Sequence, residues 1–239
     1  MAQGARRIIA VMISVVIPTF NSEGELARSL AALVPGVVDG VVQEVIIADG
    51  GSTDETPQIA DAVGAKFVSV ARGRGAQLAE GARAAKGDWL LFLHADTVLE
   101  HDWHREAERF MQEMVRSPRP RAAAFRFALD DRGARPRYLE AMVSLRCALL
   151  RLPYGDQGLL IARAHYESLG GFRDLPLMED VDLVGRIGRR DLCFLRSRAV
   201  TSAARYRRDG YFGRMLRNLS CLTLYYLRVP PRYIVKLYG

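Results

Sequence analysis

The sequence predicts an α/β fold: a mostly parallel central sheet with helices packed on both of its faces. Three observations carry this. Four short apolar runs, at 13–17, 44–48, 66–70 and 89–93, alternate with segments whose apolar residues recur at helical spacing, giving β-α-β-α-β-α-β. Two of the runs end abruptly in polar residues, Asp49-Gly50-Gly51-Ser52 and His94-Ala95-Asp96-Thr97. Ligands of open α/β sheets bind outside the carboxyl ends of the strands, so polar groups there suit a ligand better than packing. Finally, 239 residues, 49% of them hydrophobic, suffice for one sizeable core.

Taken in order, Ile13 to Ile17 is continuous and β-branched, and Pro18 stops it. A loop, Thr19 to Ser22, leads into a helix from Glu23 through Leu26, Leu30 and Leu33. The second strand, Glu44 to Ala48, ends in a glycine turn, after which Ser52 or Thr53 caps a helix with Asp54 and Glu55 in its first turn. Lys66 to Val70 is the third strand, Gly73 to Ala85 the third helix, and Trp89 to Leu93 a central strand buried on both faces. Then the rhythm changes. Asp102 to Val115 reads as a helix, Ser117 to Pro120 as a break, Ala122 to Leu129 as a strand and Arg135 to Leu150 as a helix. Gly155 to Ala162 carries an Asp-Gln-Gly turn into a short apolar strand, and a short helix ends at Gly170-Gly171. Glu179 to Asp182 opens a helix reaching about Arg190, and Tyr211 to Leu227 is an amphipathic helix stopped by Pro230 and Pro231. The expected division is a tail at 1–12, the main domain at 13–209 and a helical extension at 210–239.

The formal charge is +7, and only Lys66, Lys86 and Lys236 among 34 basic residues are lysine. Guanidinium forks suit phosphates, although an arginine-biased genome explains the choice equally well. No stretch interleaves basic and aromatic residues in a nucleic-acid motif, so nucleic acid is not an expected partner. Cys147, Cys193 and Cys221 are odd in number and form no C-x-x-C pair, which points to a reducing, cytoplasmic compartment without structural zinc. Arg6 and Arg7 followed by Ile8 to Ile17 imitate a signal peptide, but no small-residue cleavage site follows. No apolar run approaches the ~20 residues a membrane-spanning helix needs.

Three acidic positions stand at strand ends or helix starts: Asp49, Asp96 and the pair Glu179/Asp180. Asp49 can accept from a base N–H or a ribose hydroxyl, or serve as a turn residue. Asp96 can bind a divalent cation, or with Thr97 cap the next helix. Asp180 at a helix start is held ionised and can take a proton, or simply complements the helix dipole. Gly73-Arg74-Gly75 lacks both the G-x-G-x-x-G spacing and the P-loop lysine. Arg72 and Arg74 remain candidates for phosphate contact, and His94 for a second metal ligand or a ribose contact.

In combination, V-V-I-P-T-F-N at 15–21, I-I-A-D-G-G-S-T-D-E-T at 46–56, L-H-A-D-T at 93–97 and G-G-F-R-D-L-P-L-M-E-D at 170–180 resemble the family 2 glycosyltransferases of GT-A fold. The likeness runs from about Ile13 to Asp209. Within the family, F-L-H-A-D-T and Y-G-D-Q-G resemble a short bacterial subgroup, some of whose members are labelled arsenosugar-biosynthesis glycosyltransferases.

The resemblance implies that Pro18, Thr19, Asn21 and Glu23 line a nucleotide site, that Asp49 and Ser52 bind base and ribose, and that Arg74 approaches the donor. Asp96 would be the Mg²⁺- or Mn²⁺-binding member of a D-x-D element whose first position is here His94. Asp180 would be the base of an inverting transfer, with Asp156, Gln157 and Glu179 on the acceptor side. Arg205-Tyr206 would stand where relatives carry Arg-Trp near the diphosphate. The expected partners are a nucleotide-diphosphate sugar, by default a UDP-sugar, and a small-molecule or lipid-linked acceptor. Two alternatives are a nucleotidyltransferase, which lacks its glycine-rich loop here, and a non-catalytic nucleotide-binding or membrane-surface module. The basic, apolar C-terminal helix could meet an anionic membrane, its own domain or a twin subunit.

Overall fold

The computed structural model describes residues 12–238, so the expected N-terminal tail and the signal-peptide question lie almost wholly outside the described residues. Its sheet has eight strands: β1 Ile13–Thr19, β2 Val42–Asp49, β3 Lys66–Ser69, β4 Trp89–Phe92, β5 Thr97–Leu99, β6 Ala122–Leu129, β7 Leu159–Ala162 and β8 Leu192–Thr201. They run in the order β3-β2-β1-β4-β7-β6-β8-β5. The first half is parallel throughout, as the β-α alternation predicts. Beyond β4 the sheet is mixed: β7 runs antiparallel to both β4 and β6, β6 and β8 are parallel, and β5 runs antiparallel to β8 at the edge.

The helices are α1 Glu23–Ala31, α2 Val34–Val38, α3 Thr56–Ala62, α4 Arg74–Ala84, α5 Trp103–Val115, α6 Ala134–Leu150, α7 Arg163–Ser168, α8 Glu179–Ile187, α9 Ala204–Asp209, α10 Tyr211–Tyr226 and α11 Pro231–Tyr238. Successive side chains of a strand point to opposite faces. Thus Ile13, Val15 and Ile17 join Leu26, Leu30 and Trp103 in one core, while Val16 joins Leu78 and Ala82 in the other. Burying each such aliphatic side chain contributes roughly 1.5–3 kcal/mol. Gly81 lets α4 lie close on the sheet, since a Cβ there would stand 2.3 Å from Val16 Cγ1.

Two expectations need correction. Asp96 and Thr97 do not cap the following helix: Thr97 opens strand β5, and α5 begins only at Trp103. The helix after the glycine turn starts at Thr56, later than Ser52 or Thr53 would set it, and its amide is held by Asp54 Oδ1 at 3.0 Å. The basic stretch beyond Leu192 is a ten-residue strand. From outside the sheet, Glu106 accepts the backbone amides of Arg196 and Ser197, and Glu100 pairs with the Arg198 guanidinium. In the expected helical extension, Arg214, Cys221 and Leu222 of α10 are buried, Leu222 within the core cluster of α4 and α8.

Candidate active site

The carboxyl ends of β1, β2 and β4 lie side by side, and the loops leaving them form one connected rim. Thr19 Oγ1 donates to Asp49 Oδ1 at 2.8 Å, Asn21 N to Ser52 Oγ at 2.8 Å, and Thr53 N to Asn21 Oδ1 at 2.9 Å. Glu23 continues the seam: its Oε2 accepts Glu55 N at 2.9 Å and its own amide donates to Asp54 Oδ2 at 3.0 Å. Asn21 takes a left-handed φ of 48°, which its short polar side chain tolerates. Beneath the rim, Gln77 Nε2 bridges Thr19 O at 2.7 Å and Ala48 O at 2.8 Å, a brace invisible to motif reading. Beside it Arg72 lies over the Phe20 ring at 3.9 Å.

Asp49 is only 3% exposed and accepts four hydrogen bonds. Oδ2 takes the amides of Gly51 and Ser52 at 2.9 and 2.7 Å, and Oδ1 takes the hydroxyls of Thr19 and Ser52 at 2.8 and 2.5 Å. A carboxylate offers about four lone-pair positions, so all are used. Burial alone would raise its pKa, but these bonds outweigh it and hold the carboxyl below the ordinary value. Asp49 therefore shapes the 50–53 loop, and a ligand N–H reaches it only by displacing one of these donors.

A cleft beyond this rim gathers Arg74, His94, Asp96, Tyr154, Asp156, Glu179, Asp180, Thr201, Ser202, Arg205, Tyr206, Arg214 and Asn218. Asp96 and Asp180 thus face one space, although 84 positions separate them in the chain. Asp96 leaves β4, with its Oδ1 3.5 Å from the hydroxyls of Thr97 and Thr201. Asp180 occupies the first turn of α8, entered through Met178 at a left-handed φ of 65°. Its Oδ2 accepts Gly155 N at 2.7 Å, and its Oδ1 accepts Val181 N at 2.8 Å. Gly155 is required by proximity, since a Cβ there would stand 2.6 Å from His94 Nε2 and 3.4 Å from Asp180 Oδ2.

The cleft's electrostatics divide its acids. Burial, aided by Asp180 and Asp96 and opposed by Arg146, pushes Asp156 up to about 6. Burial likewise raises Glu179 to about 7 against the opposing attraction of Arg74, whose Nε lies 3.0 Å from Oε1. His94 is driven the other way, burial first and then Arg74 outweighing Asp96 and Asp180, so its ring is neutral at pH 7. Asp156 Oδ1, Glu179 Oε2 and Asn218 Oδ1 are buried without a hydrogen-bond partner among the described residues. A site with spare acceptors and three arginines suits a ligand that carries both hydroxyls and phosphates.

Gln157 does not reach this space. It is buried, donating Nε2 to Phe125 O at 2.9 Å and receiving Arg146 Nη2 at 3.3 Å, so it fixes the turn that presents Asp156. Pro18, Thr19, Asn21, Glu23, Asp49 and Ser52 belong to the adjoining rim and do not line the cleft. Tyr206 lines it, its ring stacked on Tyr211 at 5.6 Å. Arg214 and Asn218 escaped motif reading because they come from α10, far beyond the last motif. Among the described residues no cluster of three His, Cys, Asp or Glu side chains is set to cage a metal. Mg²⁺ or Mn²⁺ can be held by a single carboxylate, with water and substrate phosphates completing the shell.

Comparison with known proteins agrees with the motif reading. Residues 14–117 match the family model "Glycosyl transferase family 2". Glucosyl-3-phosphoglycerate synthase of Mycobacterium tuberculosis is 37% identical over 98 residues, covering 37% of this chain and 30% of that protein. A PGL/p-HBAD biosynthesis glycosyltransferase of Mycobacterium bovis is 34% identical over 103 residues, covering 38% of this chain and 37% of that protein. The matched segment thus spans about a third of these relatives' own length. Among solved structures, the M. tuberculosis synthase with Mn²⁺ and UDP-glucose aligns at a TM-score of 0.60 and 24% identity, over 92% of this chain and 80% of that one. S. aureus TarS 1–349 aligns at 0.63 and 17%, over 95% and 69%. The fold is that of the GT-A glycosyltransferases.

Proposed function

We propose that this chain, whose residues 14–117 match glycosyl transferase family 2, is an inverting glycosyltransferase that moves a sugar from a nucleotide-diphosphate donor to an acceptor hydroxyl. The observation that carries the reading is the meeting of Asp96 and Asp180 in one cleft with Arg74 and Arg205. UDP-glucose is the first donor to try, because the M. tuberculosis synthase, of like fold, has been solved with it and Mn²⁺.

In this reading the rim from Pro18 to Glu23 and the 50–53 loop receive the nucleoside, with Asp49 setting the loop's shape. Arg74 and Arg205 meet the diphosphate through charge-assisted hydrogen bonds. A divalent cation held by Asp96 would neutralise charge on the departing diphosphate as a Lewis acid. Asp180 accepts the proton of the acceptor hydroxyl as that oxygen attacks the anomeric carbon. The bond to the diphosphate oxygen breaks on the opposite face, so the configuration inverts and a nucleoside diphosphate leaves. The backbone amide of Gly155 fixes the Asp180 carboxylate for this step, and His94, being neutral, lies against it without adding charge. Asp156, Glu179 and Asn218 offer acceptors to sugar or acceptor hydroxyls.

The chemistry resides mainly in residues 13–209, with Arg214 and Asn218 completing the cleft wall, acting in the cytoplasm on a small-molecule or lipid-linked acceptor. The helical extension at 210–239 is the part open to a membrane surface or a second copy. Release of nucleoside diphosphate from a panel of UDP-, GDP- and CDP-sugars, with and without Mn²⁺, tests the reading. Metal-dependent release with one base class is expected; pyrophosphate release from a nucleoside triphosphate with a sugar phosphate would instead indicate a nucleotidyltransferase.

A further inference from the structure

Helix α10 has two unlike faces. Arg214 and Asn218 face the cleft and Cys221 and Leu222 are buried, whereas Phe212, Leu216, Leu219, Tyr226 and Leu227 lie open, Phe212 at 72%, Leu219 at 57% and Tyr226 at 61% exposed. With 3.6 residues per turn, the exposed set centres about half a turn from Arg214 and Asn218. Such spacing marks a face that packs on something, not scattered surface apolar residues. Past the Pro230-Pro231 turn, α11 exposes Tyr233, Val235 and Leu237 as well, while Ile234 anchors the helix inside. A groove that includes Leu150, Thr223 and Tyr226 extends it toward α6.

The charge around this face selects the occupant. From Tyr211 to Gly239 there is not one Asp or Glu; Arg214 and Arg217 are taken up by Asp209, whereas Arg228, Arg232 and Lys236 stand exposed at the C-terminal end of the apolar face. A second copy packed face to face would oppose this all-cationic segment with itself. An anionic bilayer offers hydrocarbon to the apolar residues and phosphate to the cations. No described helix is long and apolar enough to cross a membrane, so contact would be in the plane of the interface.

We infer that α10 and α11 dock the protein on an anionic lipid surface, which holds the cleft wall formed by Arg214 and Asn218 at the membrane. Resting on the transferase reading, this makes the acceptor a membrane-borne hydroxyl compound, carried into the cleft from the bilayer while the nucleotide sugar enters from water.

Sedimentation of the full chain with phosphatidylglycerol-containing vesicles, against pure phosphatidylcholine vesicles, tests the docking without reference to turnover. Binding to the anionic vesicles alone is expected, weakened by salt. Leu216→Ser with Leu219→Ser should lower it by about tenfold or more, and Arg228→Gln with Arg232→Gln severalfold, both with unchanged circular dichroism and donor-dependent nucleotide release. Because Trp89 and Trp103 are buried at 4% and 0% exposure, Leu219→Trp supplies the readout for insertion: its fluorescence should be quenched by brominated lipid. Absence of binding, binding indifferent to the Leu pair, or an unquenched Leu219→Trp would overturn the proposal. A dimer in sedimentation velocity that Leu219→Ser dissociates, without vesicle binding, would overturn it in favour of a second copy. Vesicle binding by a chain that releases no nucleotide from any donor would sink the transferase reading and leave the docking intact.

Discussion

Glu179 makes a prediction that needs no knowledge of the acceptor. Its side chain is 1% exposed, and the Arg74 ion pair and its own backbone amide only partly offset burial. Burial therefore carries its pKa from an ordinary 4.5 to about 7. Between those values the carboxyl is protonated in the fold and ionised in the unfolded chain, so folding takes up a proton and stability falls as pH rises through the window. At 1.36 kcal/mol per unit, the loss on going from pH 4.5 to above 7 is about 3 kcal/mol. Glu179→Gln keeps the shape and removes the titration. Urea unfolding of both proteins from pH 5 to 8 should give similar stabilities at the acid end and an advantage for the variant of about 1–3 kcal/mol at pH 8, at equal m-values. Asp156, raised to about 6 by burial, tilts both curves alike and cancels in the difference. Parallel curves, or a wild type that gains on the variant as pH rises, would refute the assignment of Glu179 as a buried, strained acid.

Two further substitutions probe the rim and the turn. Asp49→Ala leaves the amides of Gly51 and Ser52 without an acceptor and should cost about 3 kcal/mol in urea unfolding, whereas Asp49→Asn, whose Oδ1 can still accept both amides while its Nδ2 donates to the hydroxyl oxygens of Thr19 and Ser52, should cost about 1; equal costs would show that the two amide bonds do not hold the loop. Gly155→Ala drives a methyl toward His94 Nε2, so kcat should fall at least about tenfold while stability changes by about 1–3 kcal/mol; an unchanged kcat would contradict the close approach of Gly155, His94 and Asp180.

The parallel half of the sheet was legible because β1, β2 and β4 are buried and read as unbroken apolar runs. β8 was not, since Arg196 and Arg198 punctuate it; both side chains lie exposed, and Arg198 pairs with Glu100, 98 residues earlier in the chain. β5 is three residues long and follows Asp96 directly, where capping chemistry and strand chemistry look alike. At the site, the motifs brought out the acids that converge, yet they could not tell Asp156, facing the cleft, from its neighbour Gln157, turned inward to Phe125. That distinction depends on the single turn at 155–157 and on Arg146 beside it, whose Nη2 donates to Gln157 Oε1. Nor could they find Arg214 and Asn218, whose place in the cleft follows from how α10 packs against the main body.

The account stands on Asp180 taking a proton at the centre that the cation on Asp96 activates. The direct measurement is the split between donor affinity and turnover in Asp180→Asn, with nucleoside diphosphate release as the rate and calorimetry with Mn²⁺ as the affinity. The prediction is donor binding within about threefold of wild type and a kcat lower by about a hundredfold or more. Turnover at the wild-type rate in that variant would contradict it.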